Sequence, residues 1–213
     1  MTKVVIDMTM SLDGYVAGPD DRKGQPLGSH GGIRIFDWYI SGTQEYRNPL
    51  FRPEPGPNLE AVKLMYEESG AFIFGRRTYE IAGGWKGGHP INGVPVFVLT
   101  HEPPAHDDKG RANISFVTDG IASAIRQAVK VAGGKDIKLQ GGSPGKQALE
   151  QGLCDEIVVH LAPFLLGGGV RLFDTLPHGL ELEKLSVSDG HLATHLRYKV
   201  RKGIPSDSSP LAK

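Results

Sequence analysis

The sequence predicts an α/β domain built on a mainly parallel sheet with an antiparallel edge, flanked by helices on both faces. Two observations predict it. Through the first two thirds, short apolar β-type runs alternate with segments of helical spacing, and such strand–helix–strand crossovers join parallel strands. In the last third, Glu156 to Ala162, Leu180 to Ser188 and Ala193 to Val200 read as strands with no helical pattern between them, and Asp189-Gly190 marks a hairpin turn.

Taken in order, Val4 to Met10 is a β-rich opening, and Ser11 to Gly32 a loop dense in Gly, Pro and Asp, followed by the aromatics Phe36, Trp38 and Tyr39. Arg47 to Pro57 holds four prolines and reads as an irregular insertion. Leu59, Val62, Lys63 and Tyr66 have helical spacing, with Asn58 as the expected N-cap. Strand Ala71 to Phe74, a short helix from Arg76 and a Gly/Pro loop lead to strands Val94 to Thr100 and Ile114 to Thr118. Helix Ile121 to Ala132, strand Asp136 to Gln140, a glycine turn and helix Lys146 to Gln151 complete the repeating part. No internal repeat or domain-scale linker interrupts the chain. One domain is expected over 1–202, with a disordered Pro/Ser-rich tail over 203–213.

Composition narrows the function classes. The chain has 213 residues and a formal net charge of zero, so no global field draws it to nucleic acid or to a membrane surface. Its apolar runs are too short for a bilayer, no signal-peptide h-region opens it, and its single cysteine, Cys154, excludes an intrachain disulfide. A cytoplasmic location is expected. Cys154 has no adjacent base, which argues against a nucleophile, and the eight histidines lack metal-ligand spacing. His160, mid-strand, reads as a core or interface histidine.

Three strand exits carry the chemistry, because ligands of parallel sheets sit at the carboxyl ends of strands. At the first, Gly75-Arg76-Arg77-Thr78, an apolar run stops at glycine and a helix begins with two guanidiniums, an anion-binding arrangement. At the second, Thr100 and His101 leave a strand together. At the third, Gly141-Gly142-Ser143-Pro144-Gly145 permits close backbone approach, with Ser143-Pro144 suited to an N-cap and first helical position. Neither G-x-G-x-x-G after the first strand nor a P-loop is present.

The ordered segments Ser11–Gly18, Phe74–Glu80, Val96–Thr100, Leu139–Ser143 and Leu165–Phe173 resemble the dihydrofolate reductase-like family, which includes the C-terminal reductase domain of the bifunctional riboflavin-biosynthesis deaminase-reductase. The resemblance spans roughly Met1 to Arg201. It implies the dihydrofolate reductase-like fold, NADPH as cofactor, and hydride delivery to a small heterocyclic or carbonyl acceptor. It further implies that Gly75, Arg76, Arg77 and Thr78 hold cofactor phosphates and that Thr100 and His101 meet the 2′-phosphate. Gly141, Gly142, Ser143 and Gly145 would lie along the pyrophosphate, and Ala17 at the nicotinamide. Gly167-Gly168-Gly169 would shape a bulge near the cofactor. Pro144 departs from the family, which usually has arginine there, and Asp20 to Pro57 is longer than its counterpart.

Reduction also needs a proton, for which Asp37 and then Asp13 are the candidates, although Asp37 also suits a helix-start cap and Asp13 an Asp-Gly turn. Trp38, Tyr79 and Trp85 read equally as core aromatics or as walls of an acceptor pocket. Two rivals to the general reductase stay open. One is a non-catalytic protein that binds a nucleotide, flavin or pterin; the other is a riboflavin-pathway reductase acting on a ribosylamino-pyrimidine phosphate. Apolar side chains at Val158, Leu161, Leu196 and Tyr198 point to a two-fold homodimer through the C-terminal strands.

Overall fold

The computed structural model describes residues 1–87, 89, 91, 93–103 and 113–202. The expected C-terminal tail lies outside the described residues. The strands are β1 (Val4–Ser11), β2 (Tyr15–Ala17), β3 (Ser69–Gly75), β4 (Val96–Leu99), β5 (Ile114–Val117), β6 (Asp136–Gln140), β7 (Glu156–Ala162), β8 (Val170–Arg171), β9 (Leu182–Gly190) and β10 (Ala193–Val200). Eight of them form one sheet in the order β5-β4-β3-β6-β1-β7-β10-β9. The six from β5 to β7 are parallel, while β10 and β9 complete the sheet antiparallel. Strands β2 and β8 make a small second sheet. The predicted class, mainly parallel with an antiparallel C-terminal edge, is the one observed.

Alternation along the strands separates two unlike faces. On one, Ile6, Ile73, Ile137, Leu139 and Ile157 pack against the apolar side of helix α4 (Ile121–Val131) and against helix α5 (Gly142–Glu150). On the other, Phe72, Phe74, Val96 and Val98 meet Trp38 of the short helix α1 (Asp37–Ile40) and Val62 of α2 (Pro57–Glu68). This second face also buries a row of alternating charges. Lys138 Nζ lies 3.2 Å from both Asp7 Oδ2 and Glu68 Oε2. Arg197 joins Glu68 (2.9 Å) to Glu156 (2.6 Å), and Lys3 reaches Glu156 at 2.7 Å. Buried ions survive only when paired in this way.

Three local expectations are corrected. Helix α2 is capped by Gly56, at φ 101°, and not by Asn58. The Asn58 side chain is buried and faces β10, where its amide bonds leave it no part in capping. Helix α5 starts at Gly142 rather than Lys146, which puts Ser143 and Pro144 inside its first turn. Proline is tolerated there because the first turn's N–H groups have no intrahelical partner. The hairpin turn is His191-Leu192, with Leu192 at φ 66°, so Asp189 and Gly190 stay in β9 as its last residues.

Candidate functional site

The carboxyl ends of β1, β3, β6 and β7 meet at one edge of the sheet, where a cleft of about 940 Å³ opens. Strand β3 delivers Gly75 to it, β6 delivers Gln140, and β1 and β7 supply Asp7, Thr9 and His160 to its floor. The loop before α1, the proline-rich insertion and α2 form the opposing wall. The parallel topology thus brings together segments distant in sequence.

At one end the lining is backbone. Helix α3 (Arg76–Ile81) and helix α5 both start here, and no side chain caps either one. Gly141 is left-handed at φ 101°, and a Cβ there would stand 3.3 Å from Thr78 Oγ1. A Cβ on Gly142 would lie 3.2 Å from the Arg171 carbonyl. The result is a bare, N–H-rich floor that side chains would fill, suited to a phosphate-bearing chain. Gly75, Arg77, Thr78, Gly141, Gly142 and Ser143 all line this part of the cleft, with Ala17 across it. Arg77 Nη2 donates to the Asp21 carbonyl, which holds the guanidinium over the rim. At Gly169, φ 121°, a Cβ would meet the Ala17 carbonyl at 2.1 Å, so the glycine run lets β8 close against β2 beside the cleft.

Other candidates lie outside the lining. Arg76 binds Glu80 (2.6 Å) and the Glu102 carbonyl (2.7 Å), and Thr100 donates to that same carbonyl at 2.7 Å. With exposed His101 they form a neighbouring group at the end of β4. Gly145 is buried under the helix, where a Cβ would press on Ile6 at 3.2 Å, so it serves helix–strand packing. Asp37 sits at the start of α1, half-exposed, 3.7 Å from Arg34. Asp13 accepts from Ser11 Oγ (2.6 Å) and from the Leu166 and Gly167 amides (3.1 and 2.7 Å). Its slight burial works the other way, but these bonds hold the carboxyl below its usual range. Tyr79 is buried in the core, as is Trp38, whose Nε1 donates to Thr9 Oγ1 at 3.1 Å. Trp85 does line the cleft, packed on Phe74 at 4.6 Å between ring centroids.

Sequence reasoning missed the floor. Asp7 reads as one polar residue in an apolar strand, and only the register shows it beside Lys138 and near His160. Asp7 Oδ1 lies 3.2 Å from His160 Nε2, and His160 Nδ1 lies 2.8 Å from His195 Nδ1. Burial opposes ionisation of Asp7, yet Lys138 and His160 outweigh it and hold the carboxyl well below the usual carboxylate range. Burial likewise opposes the Lys138 ammonium, and Asp7 and Glu68 more than restore it. The wall also escaped notice: Phe36, Tyr39, Phe51 and Met65 make an apolar chamber over this floor. Burial pushes the Tyr39 phenol above its usual range and His89 down to about 4. Cys154 is buried away from the cleft, its thiol pushed up to about 12 by that burial. Among the described residues, no group of three or more His, Cys, Asp or Glu is placed to hold a metal, and no helix is long and apolar enough to cross a membrane.

Comparison with known proteins gives this architecture a context. The model of the RibD C-terminal domain matches residues 2–193. A putative riboflavin biosynthesis protein from Shewanella sp. PV-4 superposes with a TM-score of 0.68 at 24% identity, covering 95% of this chain and 100% of that one. Dihydrofolate reductase from Enterococcus faecalis, solved in complex with NADP(H), superposes with a TM-score of 0.58 at 14% identity, covering 93% and 96%. The uncharacterized protein YwjB of Bacillus subtilis is 25% identical over 197 residues, 92% of this chain and 97% of its own.

Proposed function

The chain belongs to the RibD C-terminal domain family, whose fold is that of reductases, and on that footing we propose that it is a cytoplasmic NADPH-dependent reductase of a small planar acceptor. The carrying observation is the junction, in one cleft, of a bare helix-start cradle with an apolar aromatic chamber. The dinucleotide would lie on Gly75, Arg77, Thr78, Gly141, Gly142 and Ser143, with Ala17 at its nicotinamide end. Thr100 and His101 stand next to the cradle, where a 2′-phosphate would select NADPH over NADH, while Arg76 beside them is held by Glu80 and the Glu102 carbonyl. When bound, the nicotinamide supplies a hydride. The chain's own part is to position the acceptor against it, to exclude water with Phe36, Tyr39, Phe51 and Trp85, and to provide a proton.

The chamber supports an acceptor without a phosphate. Four cations of the segment that covers it are engaged elsewhere: Arg34 near Asp37, Arg52 on Glu45, Lys63 on Glu60, and Arg47 over the rings of Tyr46 and Tyr66. This favours a free pterin-, flavin- or quinone-like ring over a ribosylamino-pyrimidine phosphate. The non-catalytic reading is favoured by the position of Asp37 and Asp13 outside the cleft. Isothermal titration tests the cofactor: NADPH is expected to bind more tightly than NADH, and equal or absent binding of both overturns the proposal. Saturable NADPH oxidation with dihydrobiopterin, 7,8-dihydrofolate or menadione separates enzyme from binding protein.

A further inference from the structure

The hydrogen bonds beneath the cleft determine where the protons sit. Asn58 Nδ2 donates to the His191 carbonyl at 2.7 Å, which turns Asn58 Oδ1 toward His195 Nε2 at 3.1 Å. A carbonyl oxygen only accepts, so His195 carries a proton on Nε2. Burial pushes His195 down to about 4 against weaker opposition from Asp7 and Asp189. At neutral pH it therefore holds that one proton, and its Nδ1 is bare. His160 Nδ1, 2.8 Å away, must donate to it. The other nitrogen of His160 faces Asp7 Oδ1, an ionised carboxylate that also only accepts. Both nitrogens of His160 donate, which is the imidazolium form. The Trp38 ring lies against it at 4.5 Å between centroids, a position that favours a cation.

The other charged groups of the cleft, among them Asp21, Arg77, Lys146, Arg171 and Asp174, come from loops, helices or the small sheet. Asp7 and His160 alone among the described lining residues are charged groups rising from the large sheet, beneath the apolar chamber. Lys138, with Glu68 behind it, keeps Asp7 ionised from the other side.

We propose that Asp7 and His160 are the proton source of the reaction, His160 storing the proton and Asp7 passing it to the acceptor. The inference rests on the reductase reading, with a reduced nicotinamide as the hydride donor. Addition of hydride to an acceptor carbon moves the π electrons onto the adjacent nitrogen or oxygen. The His160 Nε2–H bond then breaks, the proton travels through the Asp7 carboxylate to that atom, and His160 is left neutral with its proton on Nδ1. Solvent restores the lost proton after product departs. Asp7, at the cleft floor, is the catalytic residue; His160 and His195 position it and supply its proton.

Long-range ¹H–¹⁵N correlation of the imidazoles in the cofactor-free protein at pH 7 decides the first half. His160 is expected to show the imidazolium pattern and His195 the neutral pattern with its proton on Nε2, and a singly protonated His160 overturns the proposal. Turnover with menadione or dihydrobiopterin decides the second half. Asp7→Asn and His160→Gln, the latter sparing the Lys138–Asp7 pair, are expected to lower kcat about 100-fold or more with NADPH affinity unchanged. A kcat within a few-fold of wild type in both folded variants overturns it. Failure of NADPH to bind would sink the reductase reading while leaving the imidazolium signature intact, so the two failures are distinguishable.

Discussion

A carboxylate only 5% exposed at the floor of a cleft must be neutralised by a proton or by neighbouring cations, and Asp7 has the second arrangement. That choice has a pH signature. Below about pH 6.5 the unfolded chain protonates His195 while the folded chain resists down to about 4, so stability falls as pH drops through that window. Asp7, whose folded value is depressed, contributes stability above the unfolded carboxylate value near 4 and loses it below. Thermal melts across pH 8 to 3 are expected to show both declines, and His195→Gln to make the first one shallower, the remainder coming from His89, which burial also holds down to about 4. Arg77, the guanidinium that lines the cleft, gives a second residue-scale prediction: Arg77→Ala should weaken NADPH by about 1.5–3 kcal/mol by titration calorimetry. The arginine pair was legible in sequence, but the division of labour was not. Arg76 turns away because Glu80, one helical turn on, and the Glu102 carbonyl capture it. His160 was legible only as a buried mid-strand histidine, and its link to Asp7 and His195 was not legible at all, since three strands distant along the chain must pair in register before they touch.

Elements were read more securely than residues, because hydrophobic periodicity and glycine punctuation are local, whereas helix starts depend on what the first turn meets. Helix α5 begins early because Gly141 takes the left-handed conformation against Thr78, a contact invisible in the glycine run itself. Likewise Asn58 looked like a cap until β10 claimed its amide. The same glycine-rich start supplies an element-scale prediction. Gly142→Val would place a branched side chain in the cradle, with its Cβ 3.2 Å from the Arg171 carbonyl. NADPH affinity should fall about tenfold or more, some 1.4 kcal/mol, while circular dichroism shows the fold retained, with a lower melting temperature from the tight contact to the carbonyl. Unchanged affinity would detach α5 from cofactor binding.

At the scale of the molecule, the helices leave part of the sheet uncovered. Of the side chains expected at the dimer seam, Leu161, Leu196 and Tyr198 share the α5 face, whereas Val158, in register with Asp7 and Arg197, points to the other; on the α5 face the row from buried Val159 through Leu196 ends at Val187, which with Leu185 is exposed by 52% and 44%. A second copy of the chain related by a two-fold axis would cover this row, so the protein is expected to sediment as a dimer at micromolar concentration. Val187→Asp should convert it to a species near 23 kDa; a parent already at that mass would make the row a monomer's surface. The opposite face has its own long-range consequence. The line Asp7, Lys138, Glu68, Arg197, Glu156 and Lys3 alternates in sign from the cleft floor to the solvent at Lys3. Loss of one inner member strands its neighbours away from water, a cost of about 3–5 kcal/mol, whereas exchange of both partners for apolar residues can be neutral. Evolution along this row therefore has to proceed by coordinated pairs, so that in descendants of this chain a change at Glu68 should travel with one at Arg197 or Lys138.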